Sequence, residues 1–393
     1  MQSNISIDAA CRQVDCAGER ICGDVYLSRT VTVGGRTILV LSDGMGHGIK
    51  ANILASLTAS MLQNFVTIHE DIRTVSEMML KTLPVCSVRK ISYSTFTFVD
   101  IDHVAGTVTV VEHDNPHCMV LRAGRPLRLD WRAMEIRRSD GRPQKIRSVT
   151  FAAEPSDRIV VVSDGVTQSG QRSERYRFGW GEEALLQFVE YALNGNREIT
   201  SADLAALVVS QAVRNDEGVP ADDMSCLAVT VRTPRRLLLV SCPPSGRDAY
   251  PALADTVRRY GGKKVICGYP VAEILARELG LKVVREEVSA DPDVPPAWSI
   301  PTIDLVTEGI VTLNKTLELL EYDTLPDEAA GPAAQLARLL LRSDEIAFML
   351  GTRRQNDANR YVPDEYELRR RVIRRIARLL ETRQGKHVVL TYV

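Results

Sequence analysis

The chain has 393 residues, 49 Lys and Arg against 50 Asp and Glu, and a hydrophobic fraction of 45%. A chain of this length exceeds what one hydrophobic core usually serves, so we expect two domains. The balanced charge gives no general attraction to nucleic acid, and the sequence has neither a signal peptide nor an apolar run of about eighteen residues. Eight scattered cysteines are typical of reduced thiols. We therefore expect a cytoplasmic protein with neither nucleic acid nor membrane as a partner.

Strand and helix signals alternate through the first 235 residues, in an order that favours an α+β layered domain. A Gly34-Gly35 step between the strand-like runs 24–32 and 36–42 indicates a β-hairpin. The remaining predicted elements of this part are strands at 92–100, 107–112, 117–122, 158–162 and 226–231, and helices at 48–65, 74–83, 181–194 and 201–214. In the helix 48–65, apolar residues share one stripe at helical spacing: Ile49, Ile53, Leu57, Met61 and Leu62.

The pattern changes after Thr233-Pro234-Arg235-Arg236, and we place a domain boundary near residue 235. Strand signals at 237–241, 264–267, 282–288, 345–350 and 387–393 alternate with helix signals at 248–260, 271–279, 313–321, 333–342 and 365–382. This alternation predicts a second, three-layer α/β domain over 236–393 with a largely parallel sheet. We expect that domain to regulate the first domain or to bind a partner.

Three aspartate-bearing turns lie against predicted strands of the first domain. Asp43-Gly44 and Asp164-Gly165 each follow an apolar run, Asp222-Asp223 precedes one, and Gly23-Asp24 adds a fourth acidic position. A single Asp-Gly step has a structural explanation, because glycine supplies a positive φ angle and aspartate caps the turn. Four acidic strand ends can face one another if their strands belong to opposed sheets, and such a cleft requires cations. The set therefore predicts paired Mg²⁺ or Mn²⁺, the usual means of hydrolysing a phosphate ester with a metal-activated water.

Other kinds of site fit the same residues less well. The segment 44–50 is glycine-rich, but a P-loop requires glycine directly before its lysine, and position 49 is Ile. Two groups of potential zinc ligands are better explained without metal. The spacings of Cys11, Cys16 and Cys22 match no common zinc pattern. His113, His117 and Cys118 surround a predicted turn, which explains that segment.

Taken in order, the aspartate segments resemble the metal-dependent PPM protein phosphatases, and they look most like the SpoIIE-type bacterial branch. The segments are Gly-Asp at 23–24, Ser-Asp-Gly-Met-Gly-His-Gly at 42–48, Ser-Asp-Gly-Val at 163–166 and Asp-Asp-Met-Ser at 222–225. Asn115-Pro116 also resembles the Gly-Asn-Pro-Pro loop of that branch, although His117 stands at the second proline. The resemblance covers about residues 8–232 and implies a PPM-type β-sandwich flanked by helices.

The resemblance also implies roles for individual residues. Asp24 and Asp43 match aspartates that lie between the two metals, and the carbonyl of Gly44 matches a backbone ligand. Asp164 and Asp222 match ligands of the other metal. Asp223 stands where the wider family commonly has asparagine, so the choice between Asp222 and Asp223 stays open. The implied catalytic set is Asp24, Asp43, Asp164 and Asp222.

Two residues are candidates for contacting the substrate. Arg20 is the nearest candidate for the arginine that assists in many relatives, and His47 either contacts substrate or fills a polar position of its loop. Two Mn²⁺ or Mg²⁺ ions would lower the pKa of a water and orient it for attack on phosphorus. No protein nucleophile is then required, and we expect no phospho-enzyme.

The resulting prediction is a protein serine/threonine phosphatase that acts on a phosphorylated regulatory protein. In the family, such proteins often belong to partner-switching systems that control sigma factors. Whether the chain forms a homodimer stays open. The alternative is a non-catalytic scaffold that binds a phosphoprotein or a signal, which the intact aspartates disfavour because a scaffold has little use for so much buried charge.

A basic segment near the C-terminus has two interpretations. Residues 366–386 carry seven Arg and one Lys against two Glu, and their apolar residues recur at helical spacing. We predict a helix with one face docked on its domain and the arginines on a solvated face. Binding of nucleic acid, an anionic membrane or an acidic partner is the less favoured interpretation.

Overall fold

The computed structural model describes residues 4–31, 35–68, 72–82, 94–137, 143–171, 173, 175–286, 291–325, 331–352 and 365–393. The chain divides into two compact units, Met1–Thr233 and Pro234–Val393. No helix within the described ranges is both long and apolar enough to cross a bilayer.

The first unit consists of antiparallel strands and five helices within its described residues. Its strands are β1 (Ser6–Val14), β2 (Asp24–Val31), β3 (Arg36–Gly44), β4 (Ser94–Asp102), β5 (Thr107–His113), β6 (Met119–Arg122), β7 (Arg125–Pro126), β8 (Arg132–Arg137), β9 (Pro143–Ala152), β10 (Arg158–Val162) and β11 (Met224–Arg232). Its helices are α1 (Gly48–Ile68), α2 (Ile72–Thr82), α3 (Asp164–Thr167), α4 (Glu182–Gly195) and α5 (Ser201–Asn215).

These strands form two sheets that pack face to face. One sheet has the order β1-β11-β10-β6-β7 and the other has the order β2-β3-β4-β5-β9-β8. The inner core combines side chains of both sheets, among them Leu39, Leu41, Ile159 and Val161. The outer faces are covered by helices: α4 and α5 pack on the first sheet, and α1 and α2 pack on the second. The predicted β-sandwich flanked by helices is therefore confirmed.

The central strands β3 and β10 are buried on both faces, which explains why their sequences are continuous apolar runs. Successive side chains of a strand point to opposite faces. Thus Leu39 and Leu41 enter the sandwich, while Ile38 and Val40 contact α1 and α2. Strands β1, β8 and β9 were not predicted, because their half-exposed, alternating sequences carry a weaker signal.

Only the C-terminal part of the apolar stripe identified on α1, Met61 and Leu62, packs on the sheet. Ile49, Ile53 and Leu57 are exposed, whereas Ala51 and Ala55 are fully buried. Small side chains on the inner face allow the helix axis to approach the sheet closely.

The second unit is a three-layer α/β structure. Its strands are β12 (Arg236–Ser241), β13 (Lys263–Cys267), β14 (Val284–Arg285), β15 (Trp298–Ser299), β16 (Leu305–Thr307), β17 (Glu345–Leu350) and β18 (His387–Tyr392). Its helices are α6 (Tyr250–Arg259), α7 (Tyr269–Leu279), α8 (Ile310–Tyr322), α9 (Pro332–Arg342) and α10 (Glu365–Gln384). Helices α6 and α7 pack on one face of the sheet, and α8, α9 and α10 pack on the other.

The sheet of the second unit has the order β14-β15-β16-β13-β12-β17-β18. Strands β16, β13, β12, β17 and β18 are parallel, and β14 and β15 pair antiparallel at one end. Of the strand predicted at 282–288, only Val284–Arg285 is a strand, while residues 287–288 lie outside the described residues.

The arginines of α10 do not all lie on a solvated face, so that prediction is wrong in part. Arg369 and Arg370 are almost fully buried, whereas Arg371, Arg374 and Arg378 are exposed. Ile373, Ile376 and Leu380 dock the helix on the core of the unit.

We predict that a fragment of residues 1–235 folds without the second unit, because the three hydrophobic clusters of the sandwich are, among the described residues, built from the first unit. Circular dichroism during heating should show one cooperative transition for this fragment. A fragment that unfolds without cooperativity would contradict the prediction, and the full chain under the same conditions is the control.

Candidate metal centre

The hairpin of β2 and β3 places two aspartates side by side. Asp24 begins β2, Asp43 lies at the end of β3, and the two residues are direct partners in the register of the pair. Eight consecutive residue pairs of β2 and β3, from Asp24 with Asp43 to Val31 with Arg36, hold this register.

The opposed sheet brings a second set of aspartates to the same place. Asp164 is the first residue of α3, directly after β10, and Asp222-Asp223 precedes β11. Strands β10 and β11 are neighbours, and their ends are joined by Ser163: its N–H donates to the Ser225 carbonyl at 3.0 Å, and its Oγ accepts from the Ser225 N–H at 2.9 Å.

The glycine after each aspartate is required by close packing. A Cβ atom at Gly44 would collide with the backbone of Ala51 in α1, and a Cβ atom at Gly165 would collide with the carbonyl oxygen of Asp223. Gly165 thus allows the Asp164 turn to lie directly against the Asp222-Asp223 segment.

The carboxyl groups of the two sheets interact with one another. Burial raises the pKa of Asp43 well above its ordinary value, and Asp24, Asp164 and Asp222 raise it further. Burial also raises the pKa of Asp222, with smaller contributions from Asp164 and Asp223. Aspartates from both sheets therefore converge at one centre.

Asp24 lies deepest in this centre. Burial raises its pKa to about 7, the neighbouring hydroxyls of Ser225 and Ser163 lower it in part, and Asp223 and Asp164 raise it again. Despite those hydroxyls, neither carboxylate oxygen of Asp24 has a hydrogen-bond partner of normal geometry among the described residues, and the same is true of Oδ2 of Asp223.

Buried carboxylate oxygens without partners are costly unless a cation compensates them. The donors at this centre are carboxylate oxygens, which are the ligands that Mg²⁺ and Mn²⁺ prefer. The residues present therefore fit a hard divalent cation.

Asp222 and Asp223 have different surroundings. Asp222 is half-buried and interacts with Asp164, and its Oδ1 accepts from the backbone N–H of Asp223 at 2.9 Å. Asp223 is buried, and its Oδ1 accepts from the backbone N–H of Cys16 at 3.0 Å. Asp222 therefore faces Asp164 and Asp43, whereas Asp223 lies at the base of the centre.

The two candidate substrate residues differ in position. His47 is exposed at the rim, where its Nδ1 contacts Oε1 of Glu19 at 2.7 Å and its ring is close enough to lower the pKa of Asp222 slightly. Arg20 is exposed and forms no hydrogen bond or ion pair within the described ranges. The structure therefore places the His47 ring within electrostatic range of Asp222, whereas no interaction among the described residues links the Arg20 side chain to this group.

Gln13 was not found by sequence analysis, although it links the two sheets at the centre. Its Nε2 donates to the backbone carbonyl of Asp24 at 3.1 Å and to Oγ of Ser225 at 2.9 Å. The residue lies on β1, a strand that was not predicted, and an isolated glutamine carries no motif.

A further group of potential ligands adjoins the centre. Among the described residues, Asp15, Cys22 and Asp223 each place one ligand atom within 4.8 Å of the others. Burial, Asp24 and Asp223 raise the pKa of the Cys22 thiol. A neutral thiol is a poor metal ligand, so this group is less suited to a cation than the aspartates.

The Asn115-Pro116 turn supports the strand beside Asp43. The side chain of Asn115 contacts the hydroxyl of Thr95, the register partner of Asp43, and its Nδ2 donates to Oγ1 of Thr97 at 3.2 Å. The turn therefore has a structural role.

Comparisons with known proteins agree with the motifs. A family model described as Stage II sporulation protein E (SpoIIE) matches residues 33–232. The chain is similar to the phosphatase domain of the cell fate determinant SpoIIE from Bacillus subtilis, with 16% identity and a TM-score of 0.44 over 59% of this chain and 95% of that chain. It is also similar to the serine/threonine phosphatase of S. agalactiae, with 16% identity and a TM-score of 0.41 over 57% of this chain and 99% of that chain. Comparison with curated proteins gave no match.

We predict that the metal-free protein becomes less stable as the pH rises. The folded-state pKa of Asp24 is raised to about 7, so between its unfolded value and that pH the folded state binds more protons than the unfolded state. The free energy of unfolding should therefore fall by about 1–3 kcal/mol between pH 5 and pH 8. Urea titrations in a chelator measure this change.

Mn²⁺ should restore stability most strongly at the higher pH, because cations and protons compete for the same oxygens. The matched control is Asp24→Asn, which should flatten the pH dependence of the metal-free protein. A wild-type stability that rises over the same interval would contradict the prediction.

Proposed function

We propose, from the premise that this chain belongs to the SpoIIE family, that it is a metal-dependent protein serine/threonine phosphatase. The observation that carries the proposal is the convergence of Asp24, Asp43, Asp164 and Asp222 from two opposed sheets, with unpartnered buried oxygens at its base. A centre of this kind supports hydrolysis of phosphoserine or phosphothreonine by water, without a protein nucleophile.

In this proposal the residues that would hold the cations are Asp24, Asp43 and the Gly44 carbonyl from the β2–β3 hairpin, together with Asp164, Asp222 and Asp223 from the opposed sheet. When bound, two Mn²⁺ or Mg²⁺ ions supply a water of lowered pKa and neutralise charge on the phosphoryl oxygens. The choice between Asp222 and Asp223 follows from their surroundings: Asp222 interacts with Asp164, and we assign it as the principal ligand.

The protein itself orients and exposes the centre. Asp43, Asp164 and Asp222 are half-buried, so a phosphoryl group can reach them, while Asp24 is closed off from solvent. Gln168 Nε2 donates to Oδ2 of Asp164 at 2.8 Å and fixes that carboxylate. His47 at the rim is our candidate for contacting the substrate, and Arg20 is a weaker one because its side chain contacts none of these residues.

We propose a phosphorylated regulatory protein as the substrate, in the cytoplasm and within a partner-switching system. The open rim supports a protein substrate, because a phosphorylated side chain on a folded protein must reach the aspartates from outside.

The test of the enzymatic proposal is Mn²⁺-dependent release of phosphate from an aryl phosphate and from a phosphoserine peptide. We expect Asp43→Asn and Asp164→Asn to lower kcat/KM by at least about 100-fold, because each removes a charged ligand of the cations. Asp130→Asn, which changes an exposed aspartate of the same unit, is the matched control and should retain activity.

The alternative is a scaffold that binds a phosphoprotein or signal without catalysis. Wild-type protein that folds and binds Mn²⁺ but releases phosphate no faster than the two variants would establish that alternative.

We further propose that the second unit regulates the first. The fragment 1–235 and the full chain should then differ in kcat/KM toward the phosphoserine peptide by severalfold, with equal activity on the small aryl phosphate serving as a check of fragment integrity. Identical values on both substrates would contradict regulation by the second unit.

A further inference from the structure

Two helices of the second unit begin side by side at one edge of its parallel sheet. Gly268 follows β13 and precedes α7, and Gly309 follows β16 by two residues and precedes α8. The N–H of Gly268 donates to the carbonyl of Thr307 at 2.9 Å, which joins the two helix starts. Neither helix has an acidic residue in its first turn. At α8 the N–H of Val311 donates to Oε2 of Glu308 at 3.3 Å, whereas α7 has no side-chain cap and carries Pro270, which has no N–H, in its first turn. Two adjacent helix N-termini with partial positive charge therefore face the same place, and the one of α8 is partly capped by Glu308.

Arg369 of α10 lies directly against these two helix starts. A Cβ atom at Gly268 would collide with its Nη1, and a Cβ atom at Gly309 would collide with Cζ and both terminal nitrogens. Its side chain is 4% exposed. The two glycines thus form the surface on which a buried guanidinium rests.

The hydrogen-bonding capacity of Arg369 is only partly used. Nη2 pairs with Glu365 and lies 4.0 Å from Oε1 of Glu308, and both glutamates are partly exposed. Among the described residues, Nε and Nη1 have no hydrogen-bond partner. The hydroxyls of Thr307 and Thr312, on either side of Gly309, are likewise buried without a partner of normal geometry in that part of the chain.

This arrangement is unfavourable as it stands. A buried guanidinium costs free energy unless its donors are satisfied, and here it also faces two partly positive helix ends. The two glutamates pair with only one nitrogen of the guanidinium, Nη2. Nε, Nη1 and the two threonine hydroxyls therefore lack an acceptor among the described residues. An oxyanion with several acceptor oxygens would satisfy those donors together.

The position in the fold also indicates a ligand site. Numbered along the chain, the parallel strands β12, β13, β16, β17 and β18 are arranged in the sheet as 3-2-1-4-5. In open sheets of this kind, ligands bind outside the carboxyl ends of the strands, and helix N-termini there receive phosphate groups. Gly268 and Gly309 lie at that edge, after β13 and β16, to one side of the reversal of strand order between β12 and β17.

We propose that the second unit binds the phosphate group of a small phosphorylated ligand at Arg369, between the N-termini of α7 and α8. The ligand is either inorganic phosphate or a phosphate monoester such as a nucleotide, and the same donors serve both. The site belongs to the second unit alone and does not depend on the proposed phosphatase activity.

The experiment is isothermal titration of the full chain with inorganic phosphate and, separately, with AMP and ATP. A chelator is present throughout, so that the aspartate centre carries no cation that could hold phosphate. We expect Arg369→Met to weaken binding by about 10- to 100-fold, as for loss of a charge-assisted hydrogen bond. Arg369→Lys, which keeps the charge but not the planar fork, should also weaken binding. Arg378→Gln, an exposed arginine of the same helix, is the matched control and should bind like wild type.

The outcomes distinguish inorganic phosphate from a nucleotide as the ligand, and they test whether Arg369 forms the site. Tighter binding of AMP or ATP than of phosphate identifies a nucleotide, and equal affinity identifies the anion alone. Absence of binding by all probes, or equal affinity in wild type and both Arg369 variants, overturns the proposal. Loss of binding in Asp164→Asn but not in Arg369→Lys also overturns it, because the phosphate would then be held in the first unit.

Thermal unfolding without ligand distinguishes phosphate binding by Arg369 from a purely structural ion pair between Arg369 and Glu365. If Arg369 serves a ligand, Arg369→Met removes unsatisfied buried donors, and its unfolding temperature should equal or exceed that of wild type. A lower unfolding temperature combined with no phosphate binding in wild type would assign Arg369 to structural pairing with Glu365.

Discussion

The structure of the first unit depends on one constraint: several aspartates must be held close together although their charges repel one another. Direct register pairing fixes Asp24 beside Asp43, and the β10–β11 pair fixes Asp164 beside Asp222 and Asp223. Neither arrangement is favourable without a cation, because burial and mutual repulsion both raise the pKa values of Asp24 and Asp43. The fold therefore supplies the geometry, and a bound cation would supply the missing charge.

The residues around the aspartates hold them close together. The sandwich core holds the two sheets in a fixed relation, and Gln13 joins them by hydrogen bonds at the level of Asp24. Gly44 and Gly165 permit the close backbone contacts that bring the aspartate turns together. Asn115 supports the strand beside Asp43. The cost of assembling carboxylates is offset by hydrophobic packing elsewhere in the unit.

Sequence predicted those features that have a local cause. The doubly buried strands β3 and β10 are visible as apolar runs, and the Asp-Gly steps at their ends mark both the turns and the acidic positions. Features that depend on tertiary contacts could not be predicted. The α1 stripe of Ile49, Ile53 and Leu57 has helical spacing, yet alanines face the sheet because the helix must approach Gly44 closely. Arg369 is buried because two glycines distant in sequence make room for it, which no pattern within α10 reveals.

The proposed function requires that aspartates from both sheets jointly hold a pair of divalent cations. Anomalous scattering from crystals soaked in Mn²⁺ tests this claim most directly, because it locates each ion independently of any activity. We expect two manganese peaks, both in contact with Asp43 or Asp164, and loss of at least one peak in Asp43→Asn crystals. The absence of any peak among these aspartates, or a lone peak at Asp15, Cys22 and Asp223, would contradict it.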